Sequence, residues 1–386
     1  MKFINERAKA LKQGTIRAMF DRANSMTDVI SMGIGEPDFP TPEKICKAAT
    51  EALYGGKTHY TANAGIMELR KIIAETSYLK GIHYDSASEI IITNGGMGAL
   101  SLLMAVLLTP GDEVLVQDPQ WLNYVEQIKY YGGVPVRVPT SEEQYFEMQP
   151  DMIRSCITDK TKALIINSPN NPTGCVMSPE TMKKIADIAI EKDLLIISDE
   201  IYNTLLYDNI QVNTIAAMPG MKERTIVVNS FSKSFAMTGW RIGFATGPSV
   251  IIDRLTKCQE YFNSCVSSAS QWGGVYALQH PELAEDLRKI FEHRRNILVE
   301  EIKNIPGMSC HIPKGAFYLF PSIKDLGLDD KDFCNRLLEE QHVVCIPGSA
   351  FGNCGVGHIR IAYTDKDTRL IEAMNRIRIF CENLTK

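Results

Sequence analysis

No CxxC pair occurs among the ten cysteines, which lie scattered from Cys46 to Cys381. With no secretory leader in view, they read as reduced thiols of a cytoplasmic protein, and no metal site is expected. The opening residues, MKFINERAKALKQG, are charged and lack an apolar centre. No stretch reaches the roughly 18 apolar residues of a membrane span, so a soluble chain with no membrane partner is expected. A basic excess is missing too. Lys and Arg number 41 against 46 Asp and Glu, a net charge of -5, and the cations are dispersed. Nucleic acid is therefore not an expected partner. Nor does a GxGxxG follow any apolar strand, and GIGEP does not match it, which argues against a nicotinamide oxidoreductase. Short repeats and low-complexity tracts are absent.

What is present is alternation. From about residue 89, short apolar runs (EIIIT, EVLVQD, VPVRVP, KALIINS, LLIISDE, TIVVNS) are separated by amphipathic stretches such as SPETMKKIADIAIEKD. Repeated βα units of this kind predict an α/β fold, a mostly parallel sheet with helices on both faces. At 386 residues the chain is too long for one ordinary core. After about residue 281 the text changes to a long charged helix, short strands around FYLFP, VVCIP and HIRIAY, and a closing helix from Asp365. The expected division is a large domain over 45–280 and a smaller α+β domain from 1–44 and 281–386.

The most specific segment is SFSKSFAMTGWRIG, which follows the strand TIVVN. It puts Ser230, Ser232 and Lys233 where the chain leaves a strand, with Arg241 eight residues beyond the lysine. Two hydroxyls and a guanidinium suit a phosphate dianion, and a lysine beside them can form a Schiff base with an aldehyde. Asp199 ends the strand LLIISD, at the sheet edge where ligands of open α/β sheets sit, and Tyr202 follows it. A carboxylate there can pair with a protonated pyridine nitrogen, although an aspartate alone is better explained as a helix cap. NSPNNPTG ends a third strand in an irregular turn whose Asn171 can donate to a phenolate or carboxylate. In ITNGGMGAL a Gly95–Gly96 turn precedes a helix opening at Met97, whose N–H groups could bind an anion. Trp121 in DPQWLNY could stack on an aromatic ring, or be plain core. Arg360 alternates with Ile359 and Ile361. Facing inward it would take a carboxylate; on an edge strand it would face water. Gly35 in SMGIGEPDFPTP would admit a close approach of backbone to substrate.

Taken together, SMGIGEPDFPTP, HYTANAGIMELR, TNGGMGAL, NSPNNPTG, SDEIY, SFSKSFAMTGWRIG, PKGAFYLFP and HIRIAYT resemble, in order and spacing, the class I/II aminotransferase family of fold-type I pyridoxal-phosphate enzymes, over essentially the whole chain. The resemblance implies pyridoxal 5'-phosphate as cofactor, bound to Lys233, with Asp199 on its pyridine nitrogen and Tyr202 and Asn171 on its ring oxygen. It implies that Ser230, Ser232, Arg241 and the amides at Gly95, Gly96 and Met97 hold the phosphate, and that Tyr60 comes from the other subunit of a homodimer. Trp121 would stack on the ring; Arg360, Asn171 and Gly35 would receive the substrate α-carboxylate. Where many relatives have Ser, Thr or Ala, this chain has Met97, so only its N–H could serve. For a second substrate carboxylate, Arg17 and Arg254 are conceivable receptors, neither in a diagnostic context. The implied reaction passes an amino group from an L-amino acid to a 2-oxo acid such as 2-oxoglutarate by a ping-pong cycle. A C–S β-lyase or related eliminating enzyme on the same fold is the alternative.

Overall fold

The computed structural model describes residues 3–384 except 12, 13, 15–18, 20, 24 and 79. A seven-stranded sheet forms its centre: β2 (Ile90–Thr93), β3 (Glu113–Asp118), β4 (Val134–Pro139), β5 (Thr161–Asn167), β6 (Leu195–Asp199), β7 (Thr225–Ser230) and β8 (Gly243–Thr246). Their order is β2-β8-β7-β6-β5-β3-β4. Only β8 runs antiparallel to its neighbours, so the sheet is mostly parallel. Sequence patterning missed β8, because the glycines flanking it in GWRIGFATGP look like loop chemistry.

Nearly continuous apolar strands follow from burial of both sheet faces. Successive residues sort to opposite sides: Val114, Val116, Ile165, Ile197 and Val228 pack under the helices Gly95–Leu107, Leu122–Tyr130 and Ser249–Asn263. Leu115, Leu164, Ile166 and Ile196 face Pro150–Cys156 and Pro179–Glu191, whereas Ile90, Ile92 and Val227 face Glu43–Tyr54, Met67–Tyr78 and Ser268–Gln279. The helix after β2 begins at Gly95 rather than Met97, with Asn94 as its cap residue. A side chain at Gly95 would collide with the Arg241 guanidinium at 2.5 Å, so the glycines serve that contact inside the first turn rather than breaking the helix.

A separate core joins the helices Glu282–Lys303, Asp330–Gln341 and Asp367–Leu384 to the antiparallel strands β11 (Ile346–Pro347), β12 (Ile359–Ala362) and β9 (Tyr318–Leu319). The last helix starts at Asp367, two residues after the expected Asp365, whose carboxylate instead accepts from the Lys366 N–H at 2.7 Å and pairs with Arg369. Near the other end of the chain, β1 (Ile30–Ser31) pairs in parallel with β10 (Val343–Val344). Residues 33–41 run from there to the turn after β7, where the Thr41 hydroxyl donates to the Ala236 carbonyl at 2.7 Å. Among the described residues no helix is long and apolar enough to cross a membrane.

Candidate active site

Four neighbouring parallel strands, β3, β5, β6 and β7, deliver their carboxyl ends to one place. Beyond β3 comes Trp121, at the start of the helix Leu122–Tyr130. Past β5, the Asn171 N–H donates to Asn167 Oδ1 at 2.9 Å, which folds the Asn-Pro turn back on its own strand. Asn167 lies beside Asp199 in the register of β5 and β6, and its amide donates to the Asp199 carbonyl at 3.1 Å. After β7, Ser230 caps a single helical turn, Phe231–Ser234, its Oγ accepting from the Ser232 N–H at 2.9 Å. That turn presents Lys233. Residues from the other core close the pocket, which holds about 190 Å3 and is lined by Ile34, Gly35, Tyr318 and Arg360 opposite Trp121, Asp199, Tyr202 and Lys233.

Charge in this pocket is arranged with few counter-ions. Asp199 is buried; its carboxylate accepts from the Tyr124 hydroxyl at 2.5 Å and the Ile201 N–H at 3.2 Å, and no cation pairs with it among the described residues. Burial pushes its carboxyl up to about 6, against the pull of the Tyr124 hydrogen bond. Lys233 donates to the Gly35 carbonyl at 2.5 Å. Burial, with the positive Arg360 and Arg241 nearby, lowers its amine to about 8 against the opposing charge of Glu36. Arg360 is 2% exposed and lies between the rings of Tyr318 and Phe351, 4.6 and 4.9 Å from their centroids. It donates to Asn171 Oδ1 at 3.0 Å and to the Gly33 carbonyl at 2.5 Å, while its Nε has no partner. An inward guanidinium with an unspent donor is suited to an incoming carboxylate.

A second cluster forms beside the Lys233 turn. The Arg241 guanidinium lies against Gly95 and donates to the Thr238 carbonyl at 2.9 Å. The Ser230 Cβ lies near Gly96, so the Ser230 side chain and the Arg241 guanidinium meet at the amino end of a 13-residue helix. Met97 turns its sulfur toward Asn123, 3.3 Å from Nδ2. Tyr60 is 90% exposed and does not line the pocket of its own chain. Arg254 is largely exposed beside Asp253 and also stands apart, and Arg17 lies outside the described residues.

Four residues of this site escape the sequence patterns. Tyr124 stands three residues, about one helical turn, after Trp121, a spacing that could have marked it. Asn167 is simply the last polar residue of its strand. Tyr318 lies within PKGAFYLFP, where nothing local separates it from the core aromatics beside it. Gly243 is the last glycine of GWRIG; a Cβ there would sit 2.7 Å from Gly95 C and 2.8 Å from Gly96 N.

The residues present fit pyridoxal phosphate. An unpaired buried carboxylate suits a pyridinium N–H, a lysine of lowered basicity suits an aldehyde, and the Gly95–Arg241 cradle suits a phosphate.

Comparison with known proteins agrees. The family described as "Aminotransferase class I and II" matches residues 27–377. Among curated relatives, "Aromatic-amino-acid aminotransferase 2" of Thermococcus litoralis is 42% identical over 378 residues, 97% of each chain. "Aspartate aminotransferase" of Pyrococcus abyssi is 43% identical over 378 residues, again 97% of each. Among solved structures, the aspartate aminotransferase from Thermus thermophilus with maleate superposes with a TM-score of 0.93 at 36% identity, covering 98% of this chain and 100% of that one.

Proposed function

Because the chain belongs to the class I and II aminotransferases, pyridoxal-phosphate-dependent enzymes that pass an amino group from an amino acid to a 2-oxo acid, we propose that its active site is the pocket at the carboxyl ends of β3, β5, β6 and β7, with Lys233 as the residue that bonds the cofactor. The observation that carries this reading is the convergence of an unpaired buried carboxylate, Asp199, with the Lys233 amine and the Arg360 guanidinium. When bound, pyridoxal phosphate supplies an aldehyde that takes up the amino group and a ring that delocalises the electrons left when the α-proton departs. Asp199 keeps the pyridine nitrogen protonated, and Tyr124 and Asn167 hold Asp199 in place. Tyr202 and Asn171 donate to the ring oxygen, while Trp121 covers the ring face.

Ser230, Ser232, Arg241 and the amides of Gly95, Gly96 and Met97 grip the phosphate, joined by the partner subunit's Tyr60. Arg360, with Asn171 and the Gly35 backbone, orients the substrate α-carboxylate so that its α-proton faces Lys233. Once the amino donor displaces it from the cofactor, the Lys233 amine, made less basic by burial, would take that proton and carry it for the transfer. The same residues then serve the 2-oxo acid in the second half of a ping-pong cycle.

The working unit in this reading is a cytoplasmic homodimer with a large domain over 45–280 and a small one from 1–44 and 281–386. Exposed rings of Tyr54, Tyr60 and Tyr261 support the dimer, and ten free cysteines support a reducing compartment. The test is a panel of L-amino acids, aspartate and aromatic donors included, added without acceptor to the cofactor-loaded enzyme. At least one should convert the absorbance to that of the amino form and release a 2-oxo acid. If pyruvate and a thiol or ammonia appear instead, with no conversion, the reading fails.

A further inference from the structure

We propose that Tyr318 is a positioning residue of the active site, whose hydroxyl directs the proton of Tyr202 toward the ring oxygen of the cofactor. The inference rests on the role proposed above for Tyr202. The two hydroxyls are 2.9 Å apart and both are buried. Each has the other as its hydrogen-bond partner, with no further one among the described residues. If the Tyr202 proton points to the ring oxygen, the Tyr202 oxygen is left to accept, and among the described residues the donor in reach is Tyr318. The arrangement polarises Tyr202 and strengthens its donation, as linked hydrogen bonds do in a medium of low dielectric.

Room for this hydroxyl comes from Gly35. A Cβ there would lie 1.9 Å from Tyr318 Oη, so the glycine that lines the substrate pocket also makes the Tyr318 position possible. The ring of Tyr318 has a second task, since the Arg360 guanidinium lies 4.6 Å from its centroid. Ring and hydroxyl are therefore separable: Tyr318→Phe removes the donor and keeps the surface on which Arg360 rests.

A donor to the ring oxygen stabilises that oxygen as an anion. This favours the form in which the lysine-bound nitrogen has lost its proton, and it lowers the pH at which the cofactor absorbance titrates. In Tyr318→Phe the absorbance midpoint should rise by about half a pH unit, the size of one weakened hydrogen bond. KM for the amino donor should stay within about twofold, whereas kcat falls. Tyr318→Leu, which also loses the ring, should raise KM as well. Tyr202→Phe should move the midpoint further upward, and adding Tyr318→Phe to it should change nothing more, because the second residue acts through the first. An unmoved midpoint in Tyr318→Phe, with a clear shift in Tyr202→Phe, overturns this inference alone. If Tyr202→Phe itself leaves the midpoint in place, the proposed role of Tyr202 falls with it. Full additivity in the double variant would mean that Tyr318 does not work through Tyr202.

Discussion

Arg360 shows how a single residue carries both packing and chemistry. It is buried between two rings with its Nε unpartnered, so removing it costs the bidentate grip on an α-carboxylate in a water-poor site. Arg360→Ala should lower kcat/KM for amino donors by about 2–5 kcal/mol, roughly 30- to several-thousand-fold, while cofactor content stays near that of the wild type. Unchanged steady-state kinetics would remove Arg360 from the substrate. Asp199 makes a prediction in pH. Its carboxyl is raised from an ordinary 3.8 to about 6, so the folded, cofactor-free protein holds a proton that the unfolded chain has released between those values. Stability should therefore fall as pH rises from about 4 to 6, by about 3 kcal/mol at most, and level off above. Thermal melts of cofactor-free Asp199→Asn should lack that decline; an identical pH profile would place the titration elsewhere. Lys233 behaves in the opposite sense. With its amine lowered to about 8, the rate at which it captures added pyridoxal phosphate should climb through pH 8, whereas an ordinary lysine would still be protonated there. Stopped-flow mixing across pH 6–10 separates the two.

At the level of elements, the ends of three strands were legible in the sequence because each finishes an apolar run with polar residues, which singled out Lys233, Asp199 and Asn171, whereas Trp121 after a fourth strand read equally as ring stacking or plain core. The strand order brings all four to one edge. What patterning could not reach depends on contacts across the chain. Strand β8 is hidden by its glycines, and one of them, Gly243, is required because a Cβ there would press on the backbone of Gly95 and Gly96. Gly243→Ala should push the start of that helix away from Arg241 and weaken cofactor affinity by about tenfold or more, read by absorbance titration of the cofactor-free protein. Wild-type affinity would show that the cradle tolerates the shift. The stretch 33–41 is a similar case. Gly35 in it drew notice for substrate approach, yet the segment is held at both sides: Trp240 Nε1 donates to Thr41 Oγ1 at 2.8 Å, and Arg294 forms a two-point pair with Asp38 at 2.7 and 3.0 Å. Asp38→Ala leaves Arg294 buried with only Asp367 beside it, so the melting temperature should drop by the equivalent of about 2–4 kcal/mol.

For the molecule as a whole, the α/β class could be read from the periodicity of apolar runs. The pairing of β1 with β10, which ties residues 30–31 to the C-terminal core, could not be, since two-residue strands leave no periodic trace. Assembly is likewise a matter of surfaces that a single chain exposes. Tyr60 is far from buried and stands outside the pocket of its own chain, so the proposed phosphate grip is complete only in a dimer. Light scattering should give twice the chain mass at working concentrations, and Tyr60→Ala should loosen cofactor binding without splitting the dimer. A monomer with full activity would refute the shared site. The proposed function depends on one covalent attachment. Borohydride reduction of the cofactor-loaded enzyme, followed by digestion and peptide mass mapping, should place the pyridoxyl group on the peptide that contains Lys233, and attachment at any other lysine would contradict the account.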